Sequence, residues 1–184
     1  MPIDRSLIRK KSSIYAQVLL DAVKADDSVF AVSTELELVL ATIRSHAELR
    51  NTLTDRTLPY QDRCGILAEV FSGLHAGLLQ VLAVMVERDD LGLLARVNES
   101  YITLAEDALD AVIIDVTTVV ALDDTLRQSI QQKYSAQFNK GILLREHVDP
   151  TLLGGVMLSA HGCKIDASVS YQLENARATL AQAW

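Results

Sequence analysis

Along the first 110 residues, apolar positions recur at i, i+3, i+4 and i+7, the spacing of one face of an α-helix. Six segments follow this rule. The first carries Ile14, Tyr15, Val18, Leu19, Ala22 and Val23 and closes at Ala25-Asp26-Asp27-Ser28, where Ser28 offers an N-cap for the next. The second carries Val32, Leu36, Val39, Leu40 and Ile43; a short third runs from Ala47 to Leu53 and ends in Thr54-Asp55-Arg56-Thr57. Pro59 suits the first turn of a fourth helix bearing Ile66, Leu67, Val70 and Phe71, with Gly73 as its stop. The fifth has Leu74, Leu78, Val81, Leu82 and Met85, and Asp89 or Asp90 caps a sixth striped by Leu94, Val97, Tyr101, Leu104, Ala105 and Ala108. With short loops between them, these helices are expected to pack as a bundle.

After Asp110 the period changes. Ala111 to Leu122 is rich in Val, Ile and Thr and reads as a strand. Asp123-Asp124 then caps a helix with Leu126, Ile130, Tyr134 and Phe138, which Asn139-Lys140-Gly141 ends. Ile142 to Val148 is a second strand, Asp149-Pro150 turns the chain, and Val156 to Ala160 is a third strand after Gly154-Gly155. A turn at His161-Gly162, a short extended Cys163 to Ile165 and a last helix with Val169, Gln172, Leu173, Ala176 and Leu180 complete the chain. The expected fold is therefore mostly α: a six-helix N-terminal bundle over residues 1–110, joined through its last helix to a small α+β domain over 111–184. So small a domain buries only about 60–65% of its surface and leans on partners.

Composition agrees with helix and excludes several classes. The 184 residues include 28 Leu and 21 Ala against only 8 Gly and 3 Pro. Charge is uneven: residues 12–110 hold seven bases and sixteen acids, whereas Arg5, Arg9, Lys10 and Lys11 face only Asp4 in the first eleven. Nucleic-acid binding needs clustered base, which the net charge of −7 and this distribution do not provide. An acidic bundle favours a basic partner. The longest apolar run, Val81 to Val86, is too short to span a bilayer, and the N-terminus lacks a secretory h-region, so a cytoplasmic location is expected. Cys64 and Cys163 lie far apart, as reduced thiols do in a cytosolic chain.

Catalytic motifs are missing. Neither GxxxxGK[ST] nor GxGxxG occurs, and Gly154-Gly155 lacks the Lys and Ser or Thr of a phosphate loop, so it reads as a structural turn. His147, Asp149, His161 and Cys163 match no familiar zinc spacing. A thiol nucleophile at Cys163, activated by His161 and oriented by Asp166, is the enzymatic alternative. Asp26-Asp27, Asp89-Asp90 and Asp123-Asp124 fall at expected helix starts, where carboxylates complement the helix dipole. His46 and His75 sit near helix ends, as caps or solvated groups.

The stretch Val148-Asp149-Pro150-Thr151-Leu152-Leu153-Gly154-Gly155-Val156, followed by Asp166-Ala167-Ser168-Val169 and Leu173, resembles the delta subunit of bacterial F-type ATP synthases, whose mitochondrial counterpart is the oligomycin-sensitivity-conferring protein. Tyr15-Ala16 with Leu19, Pro59 before an apolar helix, and Leu91-x-Leu93-Leu94 leading to Glu99-x-Tyr101 extend the likeness over nearly all of the chain. The resemblance implies a non-catalytic stator subunit without cofactor or metal, peripheral at the cytoplasmic face of the cell membrane and touching it only through the complex. The bundle is expected to grip the N-terminal segments of the alpha subunits, and the C-terminal domain the end of subunit b, in a proton-driven synthase. The family's groove between the first and fifth helices maps to Ile14, Tyr15, Val18 and Leu19, and to Leu78, Leu82 and Met85, with Tyr15 as the best anchor. The C-terminal turn motif maps to Asp149, Pro150, Gly154, Gly155, Asp166 and Ser168. Asp89-Asp90 departs from the family's frequent Gly-Arg, and Ser170 from a frequent Arg. The rival binding reading is a free-standing adaptor for another basic amphipathic helix.

Overall fold

The computed structural model describes residues 5–160 and 163–182. Within them the chain is mostly helical, with eight α-helices and one four-stranded sheet in the C-terminal part. It forms two compact units, Met1–Asp107 and Ala108–Trp184.

The first unit holds α1 (Arg5–Val23), α2 (Val29–Ser45), α3 (Ala47–Thr54), α4 (Tyr60–Val70), α5 (Ala76–Glu87) and most of α6 (Leu94–Leu109), with 3-10 turns at Lys24–Asp26 and Leu91–Leu93. Successive helices from α2 to α5 pack on one another, and α1 packs on both α2 and α5. Leu19, Leu36, Leu67, Leu78, Leu82 and Met85 meet in the interior at 1% exposure or less. Each such side chain contributes roughly 2 kcal/mol by leaving water.

Polar ties set the register of these helices. The buried Tyr101 hydroxyl donates to the Val29 carbonyl at 3.0 Å, and Asn98 Nδ2 donates to Glu37 Oε2 at 2.7 Å, joining α6 to α2. Glu35 Oε2 accepts from the His75 backbone N–H at 2.8 Å, and His75 Nδ1 accepts from Gly77 N–H at 3.1 Å as the cap of α5. Burial drives the Tyr101 phenol far above its ordinary pKa, with Glu35 adding to the shift.

The structure corrects several local expectations. Leu74 lies in the turn before α5, because His75 caps that helix and α5 begins at Ala76. Ser28 occupies the N-cap position of α2 without a side-chain bond, and its Oγ is buried without a partner. On α1 the buried face is Tyr15, Ala16, Leu19, Leu20 and Val23; Ile14 and Val18 lie outside it. The bundle covers only part of the helix circumference, and its centre runs one residue later than the expected stripe.

The second unit contains β1 (Ala111–Thr118), α7 (Asp124–Phe138), β2 (Gly141–Val148), β3 (Gly155–Ala160), β4 (Cys163–Ser168) and α8 (Val169–Gln182). The strand order is β2-β1-β3-β4, with β1 parallel to β2 and the other pairs antiparallel. The right-hand limit of β1 falls at Thr118, four residues before the expected Leu122, because Thr118 Oγ1 donates to the Val120 carbonyl at 2.6 Å and turns the chain. Val112, Ile114, Val116, Ile142 and Leu158 form one sheet face, which Tyr134 and Ile130 of α7 cover. Asp123 caps α7 by accepting from Asp124 N–H at 2.9 Å, and Asn139 ends it in the left-handed conformation, φ 52°.

Candidate functional site

Two regions present apolar surface beside ordered polar structure. The first lies along the contact of α1 with α5. An ideal Cβ on Gly77 would lie 3.3 Å from Ala22 Cβ, so the start of α5 meets the end of α1. At the other end Lys11 Nζ and the Tyr15 hydroxyl both donate to the Asp90 carboxylate, at 2.8 and 3.0 Å. The two helices therefore run antiparallel. Ile14 lies three residues after Lys11, and Val18 four before Ala22, so both border the strip of α1 that faces α5. They are 62% and 52% exposed, and Leu7 extends the same row. On α5, Val84 lies two turns beyond Gly77 on the same side and is also exposed.

Of the seven residues expected in this groove, Ile14 and Val18 are open, whereas Tyr15, Leu19, Leu78, Leu82 and Met85 are buried in the unit's core. Tyr15 faces inward with its hydroxyl on Asp90, and burial with that hydrogen bond raises its pKa while Arg88 acts against the shift. Leu7 and Val84 were not among the expected residues. Their signal is the same helical spacing, shifted by one face.

Asp89 and Asp90 do not serve as helix caps. Asp89 is left-handed at φ 53° and accepts from Arg63 Nη1 and Arg56 Nε, each at 3.0 Å. Arg63 is buried and also donates to the Leu53 and Val86 carbonyls, joining α3, α4 and the end of α5. Asp90 precedes the Leu91–Leu93 turn without a side-chain capping bond and instead holds Lys11 and Tyr15. Asp26 likewise pairs with His75 Nε2, at 3.1 Å. Hydrogen-bond donors distant in sequence outcompete the helix termini next door.

The second region is the turn before β3 together with α8. Asp149 Oδ1 accepts from both the backbone and the hydroxyl of Thr151, at 2.9 and 2.6 Å, and Asp149 N–H donates to the Thr118 carbonyl. Pro150 lies inside this turn. Gly154 and Gly155 have φ of 149° and 87°, and a Cβ on Gly155 would lie 2.4 Å from the Ala167 carbonyl oxygen. Only glycine allows β4 to approach so closely. Asp166 Oδ1 accepts from Ser168 N–H at 3.0 Å, and Ser168 Oγ accepts from Tyr171 N–H at 3.2 Å, starting α8. The hydroxyl and backbone bonds from Thr151 and Ser168 hold the Asp149 and Asp166 carboxyls below the ordinary range.

This frame projects α8 outward. Val169, Tyr171 and Leu173 are 39%, 47% and 55% exposed, and Leu153 in the turn is 75% exposed beside Leu173. Leu180 belongs to the same expected stripe, but its side chain lies outside the described residues.

His161 also lies outside the described residues, so the suggested set of His161, Cys163 and Asp166 is not assembled among those described. Cys163 is an exposed free thiol, and Asp166 holds the start of α8. Among the described residues no group of three His, Cys, Asp or Glu is placed to hold a metal ion. Nor is any helix of the described residues long and apolar enough to cross a membrane.

The family model described as ATP synthase delta (OSCP) subunit matches residues 12–180. "ATP synthase subunit delta" of Rhodopirellula baltica is 30% identical over 167 residues, covering 90% of this chain and 74% of the relative. The protein of the same description from Anaeromyxobacter dehalogenans is 31% identical over 173 residues, covering 91% and 95%. A chain in the cryo-EM structure of the Toxoplasma gondii mitochondrial ATP synthase hexamer shares the fold, with a TM-score of 0.52 at 18% identity, over 92% of this chain and 97% of that one. The match over nearly the whole sequence places this chain in the ATP synthase delta (OSCP) subunit family.

Proposed function

We propose that this peripheral-stalk subunit of an F-type ATP synthase ties the N-terminal segments of the alpha subunits to the C-terminal end of subunit b. The helical first unit grips the alpha segments and the sheet-bearing second unit grips subunit b, at the cytoplasmic face of a proton-translocating membrane complex. The chain does no chemistry. Its task is to stay bound while the rotor applies torque to the head, and two separate contacts on one chain raise the effective grip through local concentration.

The observation that supports this division best is the separation of the two open apolar surfaces. Ile14, Val18 and Val84 border the α1–α5 contact in one unit, and Leu153, Val169 and Leu173 cluster at α8 in the other. Each suits an amphipathic helix laid into a groove. The occupied interior narrows the groove to its rim, since the buried Tyr15, Leu19, Leu78, Leu82 and Met85 support it from beneath.

The test is to tag the full chain at its N-terminus, solubilise native membranes in mild detergent and identify what co-purifies. Recovery of alpha, beta and b subunits is expected. Recovery of none would contradict the stalk reading and favour the free-standing adaptor.

A further inference from the structure

The groove along α1 and α5 is charged differently at its two ends. Where the start of α1 meets the end of α5, Lys10, Lys11 and Arg88 stand against Glu87 and Asp90, and Asp90 is already occupied by Lys11 and the Tyr15 hydroxyl. Where the end of α1 meets the start of α5, Asp21, Asp26 and Asp27 stand against Lys24, with His75 bonded to Asp26. Lys10 and Asp21 are both exposed and lie on the same row as Ile14 and Val18, four residues before the first and three after the second. Asp21 accepts from the Gln17 side-chain amide at 2.9 Å. The apolar rim is thus flanked by cation at one end and by anion at the other.

We infer that the groove takes its partner helix in one direction only. The occupant is an amphipathic segment of the alpha subunit, basic at the end beside Asp21 and acidic at the end beside Lys10. This rests on the alpha-binding reading above and adds the polarity of the bound segment. Burial of apolar anchors is nearly indifferent to helix direction, because a stripe at i, i+3, i+4 and i+7 has much the same spacing read either way. Charges at the two ends are not indifferent: the reversed helix sets like charges together at both.

The experiment uses the full chain assembled with the catalytic head. A photo-crosslinking amino acid is placed at the exposed Leu7 in one variant and at the exposed Lys24 in another, and the attached head peptides are identified by mass spectrometry. Crosslinks from Leu7 to acidic peptides of alpha, and from Lys24 to basic ones, are expected. The opposite pairing, or the same peptides from both positions, overturns the inference. Crosslinks from both positions to no head subunit overturn the alpha-binding reading itself. In parallel, the double exchange Lys10→Glu with Asp21→Lys is expected to weaken head binding about tenfold at low salt, and less at high salt, while leaving the melting temperature unchanged. Unchanged affinity in that variant, alongside loss of binding in Ile14→Asp, would show that the apolar rim alone selects the partner and would also overturn the inference.

Discussion

The two units expose apolar side chains in opposite ways. In the first, the helix that borders the proposed groove is embedded: one face of α1 is buried, and Asp90 clamps it through Lys11 and Tyr15, so only a rim of side chains is left open. In the second, α8 stands on the sheet edge with all of its described side chains beyond Ser170 exposed, held at its start by Ser168 and by the Val169 N–H bond to the Gly154 carbonyl. The first unit can change its rim without touching its core. The second depends on a single backbone turn to present its helix.

That contrast is broken most severely at Gly155. Gly155→Val drives a side chain into the Ala167 carbonyl at a positive φ, and should cost about 3 kcal/mol or more. Chemical denaturation followed separately in the two units by site-specific probes should show loss in the second alone. In the first unit the comparable point is polar. Asp89→Ala leaves the buried Arg63 guanidinium without its carboxylate, with an expected loss of about 2 kcal/mol, less than for a fully buried pair because Asp89 is partly open. Equilibrium unfolding of the variant checks it, and a loss under 0.5 kcal/mol would show that the two carbonyl acceptors suffice. Ser168→Ala removes the cap of α8 and should cost about 1 kcal/mol, seen as faster amide exchange over the first turn of that helix.

Acid also separates the units. Asp149, Asp166 and Glu146 are all held below their ordinary pKa, the first two by hydroxyl and backbone donors and Glu146 by Arg127. Their stabilisation is complete above the unfolded values of about 4 and is lost as pH falls through the lower folded values. A thermal scan between pH 6 and 3 should therefore show the second unit losing stability through these three groups. In the first unit Asp55 acts alike, through Thr57, but it is the one carboxyl there with a resolved shift among the described residues. The smallest effect on stability belongs to the surfaces themselves. Ile14→Asp and Val18→Asp should change unfolding by no more than about 0.5 kcal/mol, since both side chains are already in water.

Periodicity makes the helices and the change of class after Asp110 readable in the sequence, because burial repeats locally every three or four residues. It does not locate the centre of the buried face, so Ile14 and Tyr15 are equivalent on paper and differ in the fold: one is open and the other is enclosed. The Asp89-Asp90 corner is unreadable for another reason. Its partners, Arg63 and Lys11, stand 26 and 79 residues away, and no local rule links them. The second motif is legible as spacing, since Asp149 with Thr151 and Asp166 with Ser168 are both two-residue Asx-type turns. How tightly Gly155 meets Ala167 emerges only once β3 and β4 are paired. Because β4 is part of the sheet, a cut at residue 161 removes a strand as well as the helix; removing α8 alone from Val169 keeps the sheet whole.

The most direct test of the two-handed stalk is to bind full-length variants separately to the catalytic head and to subunit b, by native mass spectrometry. Ile14→Asp with Val18→Asp should lose the head and keep subunit b, and Leu173→Asp should lose subunit b and keep the head. If both variants stayed folded and each lost both partners, or neither lost either, the division of labour between the two units would be contradicted.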